Sequence, residues 1–131
     1  MGLAQEAPTP QALNAIDLND PVPWREAFAA GCASPLEYRF LKLFEASGLN
    51  PVKQYPIGEE GKRAFTVADF AFPEKRIAIY VDGAAFHTAD RLRRDSAIER
   101  RLQNMTPPWK VVRMRARDMT RFDEVVRDLN V

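Results

Sequence analysis

The sequence predicts an α/β domain whose elements run α-β-β-β-α-β-α. Three observations carry that expectation. Apolar-rich stretches near 52–57, 64–72 and 76–82 are separated by short turn sequences. A long charged stretch at 88–104 keeps a helical spacing until Pro107 and Pro108 stop it. Trp109 to Met114 (WKVVRM) then reads as a fourth strand before a last amphipathic segment.

Taken in order, the 131 residues, 46% hydrophobic and 28% charged, suit one globular domain with a modest core. Residues 1–22 contain Pro8, Pro10 and Pro21 with little periodicity, an arm or linker ahead of a domain at 23–131. Trp24 to Ala30 has room for one or two helical turns ended by Gly31. Ser34-Pro35-Leu36-Glu37 opens the first long helix, with Ser at the N-cap, Pro at the first helical position and Glu at the third. Leu36, Phe40, Leu43 and Phe44 recur on one face and Gly48 ends the pattern, so this helix covers 35–47.

Gly58-Glu59-Glu60-Gly61 and Pro73-Glu74-Lys75 are turns between three strands joined by antiparallel-compatible connections. Gly58, Gly61 and Lys62 lack the interval and the following Ser or Thr of a phosphate loop, so they read as turn residues. In the helix at 88–104, Leu92, Ala97, Ile98 and Leu102 are expected to face inward, and Phe122, Val125, Val126 and Leu129 do so in the closing helix at 120–129.

Net charge is only +1, but it is unevenly distributed: residues 91–117 carry nine Lys and Arg against Asp95 and Glu99. A charge run is commonly a solvated face; this excess of arginine, whose fork matches phosphate, favours an anionic partner. Arg91, Arg93, Arg94, Arg100, Arg101, Lys110, Arg113, Arg115 and Arg117 would form that surface. Cys32, the single cysteine, leaves neither a disulfide nor a thiolate zinc site within the chain, which points to a reducing, cytoplasmic setting. No apolar run approaches about 18 residues and the first residues lack a basic start, so neither a membrane span nor a signal peptide is expected.

Four residues stand out chemically. Asp69 lies within the second strand and Asp82 ends the third, where Ala78, Tyr80 and Asp82 share one face; Asp82 can approach Asp69 if these strands pair. Two carboxylates so placed suggest magnesium, which needs one or two protein carboxylates because water and phosphate complete its shell. Asp82-Gly83 is also an ordinary turn dipeptide. His87, the only histidine, follows a small-residue loop and has the titration range of a general base. Glu37 is explained by capping alone, yet a first-turn carboxylate can also face a metal-bound water.

These blocks resemble the very-short-patch repair endonucleases and their relatives in the restriction-endonuclease-like PD-(D/E)xK superfamily. Ser34 to Glu37 is similar to the opening helix with its glutamate, and Val67-Ala68-Asp69-Phe70 to the strand presenting the metal-binding aspartate. Tyr80 to His87 is similar to a family stretch reading aromatic, Val, His, Gly, Cys, Phe, Trp, His. Arg94-Asp95 with Leu102, and then Trp109 to Arg113, match its late helix and strand.

The resemblance implies a mixed four-stranded sheet flanked by helices and Mg2+-dependent hydrolysis of DNA, with Mn2+ as a plausible substitute. Asp69, Asp82 and the Val81 backbone carbonyl would hold the metal, His87 would activate water and Glu37 would support it. Phe86 would remain as one intercalating aromatic. Tyr80 occupies a position where many superfamily members carry an acid, and Ala84 stands where a zinc-binding cysteine would be, so no structural zinc is expected. The expected activity is a metal-dependent endonuclease or nickase, delivered by a larger helicase or restriction protein. The alternatives are a non-catalytic nucleic-acid-binding module on the same fold, and a protein-interaction domain whose arginines take an acidic partner.

Overall fold

In the computed structural model, which describes residues 24–83 and 89–131, local signals set the helix ends. α1, Trp24–Ala29, ends in a turn where Gly31 takes φ 84°. α2, Pro35–Ala46, begins where the Ser34 hydroxyl accepts the Glu37 N–H at 3.2 Å. It ends in two nested hydrogen bonds, Gly48 N–H to the Glu45 carbonyl and Leu49 N–H to the Phe44 carbonyl. Gly48 sits between them at φ 75°, a conformation side-chain-bearing residues avoid. Phe40, Leu43 and Phe44 on this helix are buried, as their spacing predicts.

By their contacts the described residues divide into two compact units, one ending at Pro51 and the other Val52–Val131, each considered by itself. The second holds an open mixed sheet in the order β1-β2-β3-β4. β1 (Val52–Ile57) pairs antiparallel with β2 (Thr66–Phe72), and β2 with β3 (Ile77–Asp82). β4 (Lys110–Arg115) returns parallel to β3 after the crossover helix α3 (Ala89–Gln103). A 3₁₀ turn, Ala116–Arg121, leads into α4, Phe122–Leu129. β2 starts two residues later than expected because Phe65 N–H bonds the Ile57 carbonyl and belongs to the turn. That turn closes tightly: a Cβ on Gly58 would lie 2.8 Å from the Ala64 Cα.

One face of the sheet carries a core of Ile57, Ala68, Ala71, Ala78, Leu102 and Trp109, joined by Tyr55, Tyr80, Ile98 and Val111. Val112, on the other face of β4, lines a 150 Å³ cavity with Val125 and Leu129 of α4. Two of the expected inward positions on α3 are corrected: Leu92 is 49% exposed and Ala97 is exposed as well. At 3.6 residues per turn Ala97 stands about 140° from Leu102, whereas Asp95 lies on nearly the same line. The inward stripe therefore continues toward the helix start as a carboxylate. Among the described residues no helix is long and apolar enough to cross a membrane.

Candidate functional site

β2 and β3 are in register only from Phe72↔Ile77 to Phe70↔Ile79; beyond that point the strands fork. Side chains bridge the fork. Asp69 Oδ2 accepts the Val81 N–H at 2.7 Å, and the Tyr80 and Thr66 hydroxyls share a hydrogen bond of 2.9 Å.

The same point is marked on β1. Its ladder with β2 pairs Lys53↔Phe70 and Tyr55↔Ala68 but passes over Gln54 and Asp69 between them, and Gln54 takes φ 50°. As a result Ala68 and Ala71, three apart and on opposite faces under strict alternation, belong to one core cluster. Asp69 is the residue at which the side-chain alternation slips. A charged carboxylate is held there because the Val81 amide supplies a bond that the broken ladder does not.

Asp82 is positioned by the β3–β4 pairing, which places Tyr80 beside Arg113 and Asp82 beside Arg115. Its carboxylate faces the Arg113 guanidinium at 3.6 Å. Asp95 and Glu99 of α3 each approach the same guanidinium at 3.9 Å, and Arg113 also donates to the Asp95 carbonyl at 3.2 Å. The guanidinium carbon lies 5.4 Å from the Tyr80 ring centroid. Burial raises the Tyr80 phenol pKa, while the Thr66 hydrogen bond and the Arg113 charge pull it back, so it stays neutral at physiological pH.

These contacts bear on the expected metal ligands. Asp82 has an internal counter-ion, so a cation at that carboxylate competes with Arg113 for it. Asp69 and the Val81 carbonyl are hard oxygen donors on adjoining strands and fit a magnesium ion that keeps most of its water. Among the described residues no three His, Cys, Asp or Glu side chains are grouped to hold an ion.

Phe86 and His87 lie outside the described residues. Glu37 is 6% exposed, and its Oε2 accepts the Ala33 N–H at 2.9 Å, which closes the start of α2. The carboxylate acts as a cap in the first unit.

The basic residues separate into two sets. Arg94 and Arg100 on α3, and Arg115 and Arg117 after it, are exposed and have no ion pair among the described residues. Others are engaged: Arg93 with Asp90, Arg101 with Glu59 at 3.9 Å, and Lys110 with the Asp128 carbonyl at 2.9 Å. Arg91 also has an interaction of its own. Arg113, expected on the nucleic-acid surface, is 25% exposed at the centre of its three carboxylates. The sequence did hold a signal for this. Trp109, just before β4, and Val111 and Arg113 on it alternate toward the face that packs on α3.

No family model, curated protein or solved structure matches the chain.

Proposed function

We propose that Val52–Val131 is the core of a metal-dependent DNA endonuclease or nickase with Asp69 as its ligand carboxylate. The observation that carries this reading is the Asp69 carboxylate at the β2–β3 fork, fastened to Val81 N–H at 2.7 Å on an otherwise regular mixed sheet. A side chain pinned by backbone in this way is preorganised and needs little rearrangement to receive an ion. Asp69 and the Val81 carbonyl would hold magnesium, or manganese in its place, which would supply Lewis-acid polarisation of a phosphoryl oxygen.

The chain's own residues do the rest. Arg94, Arg100, Arg115 and Arg117 bind the phosphate backbone, which positions the strand without reading its sequence. Arg113 holds Asp82 and fixes the end of β3. His87 keeps its sequence-based role as the group that takes a proton from water. Glu37 stays a helix cap in this reading.

A second reading, a nucleic-acid-binding module without hydrolysis, is favoured by two contacts: the Asp82–Arg113 pair and the neutral Tyr80 phenol at a position where related nucleases carry an acid. Supercoiled-plasmid nicking decides between them. Nicking in Mg2+ or Mn2+ that is lost in EDTA and in Asp69→Asn supports the nuclease. Salt-sensitive DNA binding with no Asp69-dependent nicking leaves the binding module.

A further inference from the structure

The β1–β2 connection and the residues around the end of α3 form a groove of about 590 Å³ that the reading above does not use. It is lined by Glu59, Glu60, Arg101, Asn104, Met105 and Thr106. That volume lies within the usual range for a small-molecule site and accommodates a nucleobase. The lining narrows the chemistry further.

Arg101 forms a flat platform. Its guanidinium carbon lies 4.0 Å from the Phe65 ring centroid, close over the ring. A guanidinium backed by an aromatic ring on one side can stack a second planar group on the other, and the Arg101 side chain is 52% exposed.

Two carboxylates flank the platform. Glu59 is committed to Lys62 at 3.0 Å, which holds its carboxyl below the usual range, and more loosely to Arg101. Glu60 has no ion pair or hydrogen bond among the described residues, and neither does the Asn104 side-chain amide. Carboxylates repel phosphate oxygens and accept N–H donors, so the groove suits a base rather than the backbone.

Among the bases, guanine alone presents two adjacent donors, N1–H and N2–H, that match both oxygens of one carboxylate. Cytosine and adenine place a ring acceptor beside their amino group, and thymine places its single N–H between two carbonyls. We infer that this groove receives an unpaired guanine of a nucleic-acid strand, stacked on Arg101 with its N1–H and N2–H donated to Glu60. The inference rests on the reading that α3 tracks a nucleic-acid backbone. A strand fits better than a free nucleotide because the one cation lining the groove, Arg101, is taken up by the stacked base, while Arg100, its neighbour in sequence, is exposed without an ion pair among the described residues and available to a neighbouring phosphate.

Fluorescence anisotropy on the full chain in EDTA, where no hydrolysis interferes, tests it. The ligands are a short oligo-dT strand, the same strand with one central dG, and the same strand with deoxyinosine, which lacks the N2 amino group. The dG strand should bind about tenfold more tightly than oligo-dT, with inosine losing most of that gain. Glu60→Gln should erase the preference and leave oligo-dT affinity unchanged, and Arg101→Ala should weaken binding of the dG strand most.

Equal affinity for dG and dT strands, or a preference that survives Glu60→Gln, overturns the proposal. Displacement by dGMP alone as effective as by the dG strand overturns the strand as the source of the base. Salt-sensitive oligo-dT binding without dG preference defeats the groove and keeps the nucleic-acid surface. A protein that binds dG selectively yet never nicks DNA defeats only the nuclease.

Discussion

Arg113 and Arg94 lie in the same compact unit and are chemically identical, yet the structure treats them in opposite ways. Arg113 stands behind the β2–β3 fork, one-quarter exposed, among Asp82, Asp95 and Glu99 and over the Tyr80 ring. Arg94 lies on the outer face of α3, exposed and without an ion pair among the described residues. The difference shows that burial, rather than residue type, decides what a charge does. A partly desolvated guanidinium must be answered by the fold, because leaving it or its carboxylates unpaired is unfavourable. A solvated one keeps its water and counterions until phosphate replaces them.

The sharpest way to break this comparison is at Asp69, where frame and proposed site coincide. Asp69→Asn keeps an oxygen for the Val81 N–H but removes the charge, and Asp69→Ala removes both. Nicking should fall by more than about 100-fold in each, while urea unfolding shows Asn near wild type and Ala less stable by about 1–2 kcal/mol. Equal destabilisation by the two variants would mean that the hydrogen bond does not hold the fork.

Next in size is Arg113. Arg113→Ala leaves three carboxylates facing one another and should lower stability by about 1–2 kcal/mol, less than for a fully buried pair because these groups are partly solvated. Arg94→Ala should stay within about 0.5 kcal/mol of wild type. Chemical denaturation of both variants checks the contrast, and similar losses would erase it.

The converse holds for DNA. Replacing Arg94 and Arg100 together by alanine should weaken binding about tenfold and make the log–log salt slope shallower by about 2, with the melting temperature unchanged. Anisotropy across a salt series measures both quantities.

The smallest expected effect is the alkaline titration of Tyr80. Its folded pKa is raised, first by burial, so its contribution to stability is present below the ordinary phenol value of 10.0 and is lost as pH rises through the higher folded value. Phenolate absorbance should show a component titrating above 10 that Tyr80→Phe removes, together with its share of the alkaline stability loss.

Much of the fold was legible because its signals are local. Ser34, Pro35 and Gly48 act within a turn of the residues they cap, and the antiparallel order of β1, β2 and β3 follows from short turns. Asp69 and Asp82 stood out as carboxylates on neighbouring strands. Their separate partners, the Val81 amide and Arg113, did not stand out, because each depends on the break in strand pairing at Asp69 or on a parallel pairing set by distant chain segments. The groove beside Arg101 was hidden for the same reason: Glu59 and Glu60 read as a turn, and only the packing of the β1–β2 connection near the end of α3 brings them to Asn104.

The sequence by itself determined where helices start and stop, which segments are strands, and that positive charge gathers between 91 and 117. These depend on backbone propensities and side-chain spacing over one or two turns. Tertiary structure alone decided which charges face each other and which face solvent. A one-residue slip at Asp69 or a rotation of α3 reassigns those partners without changing any local pattern.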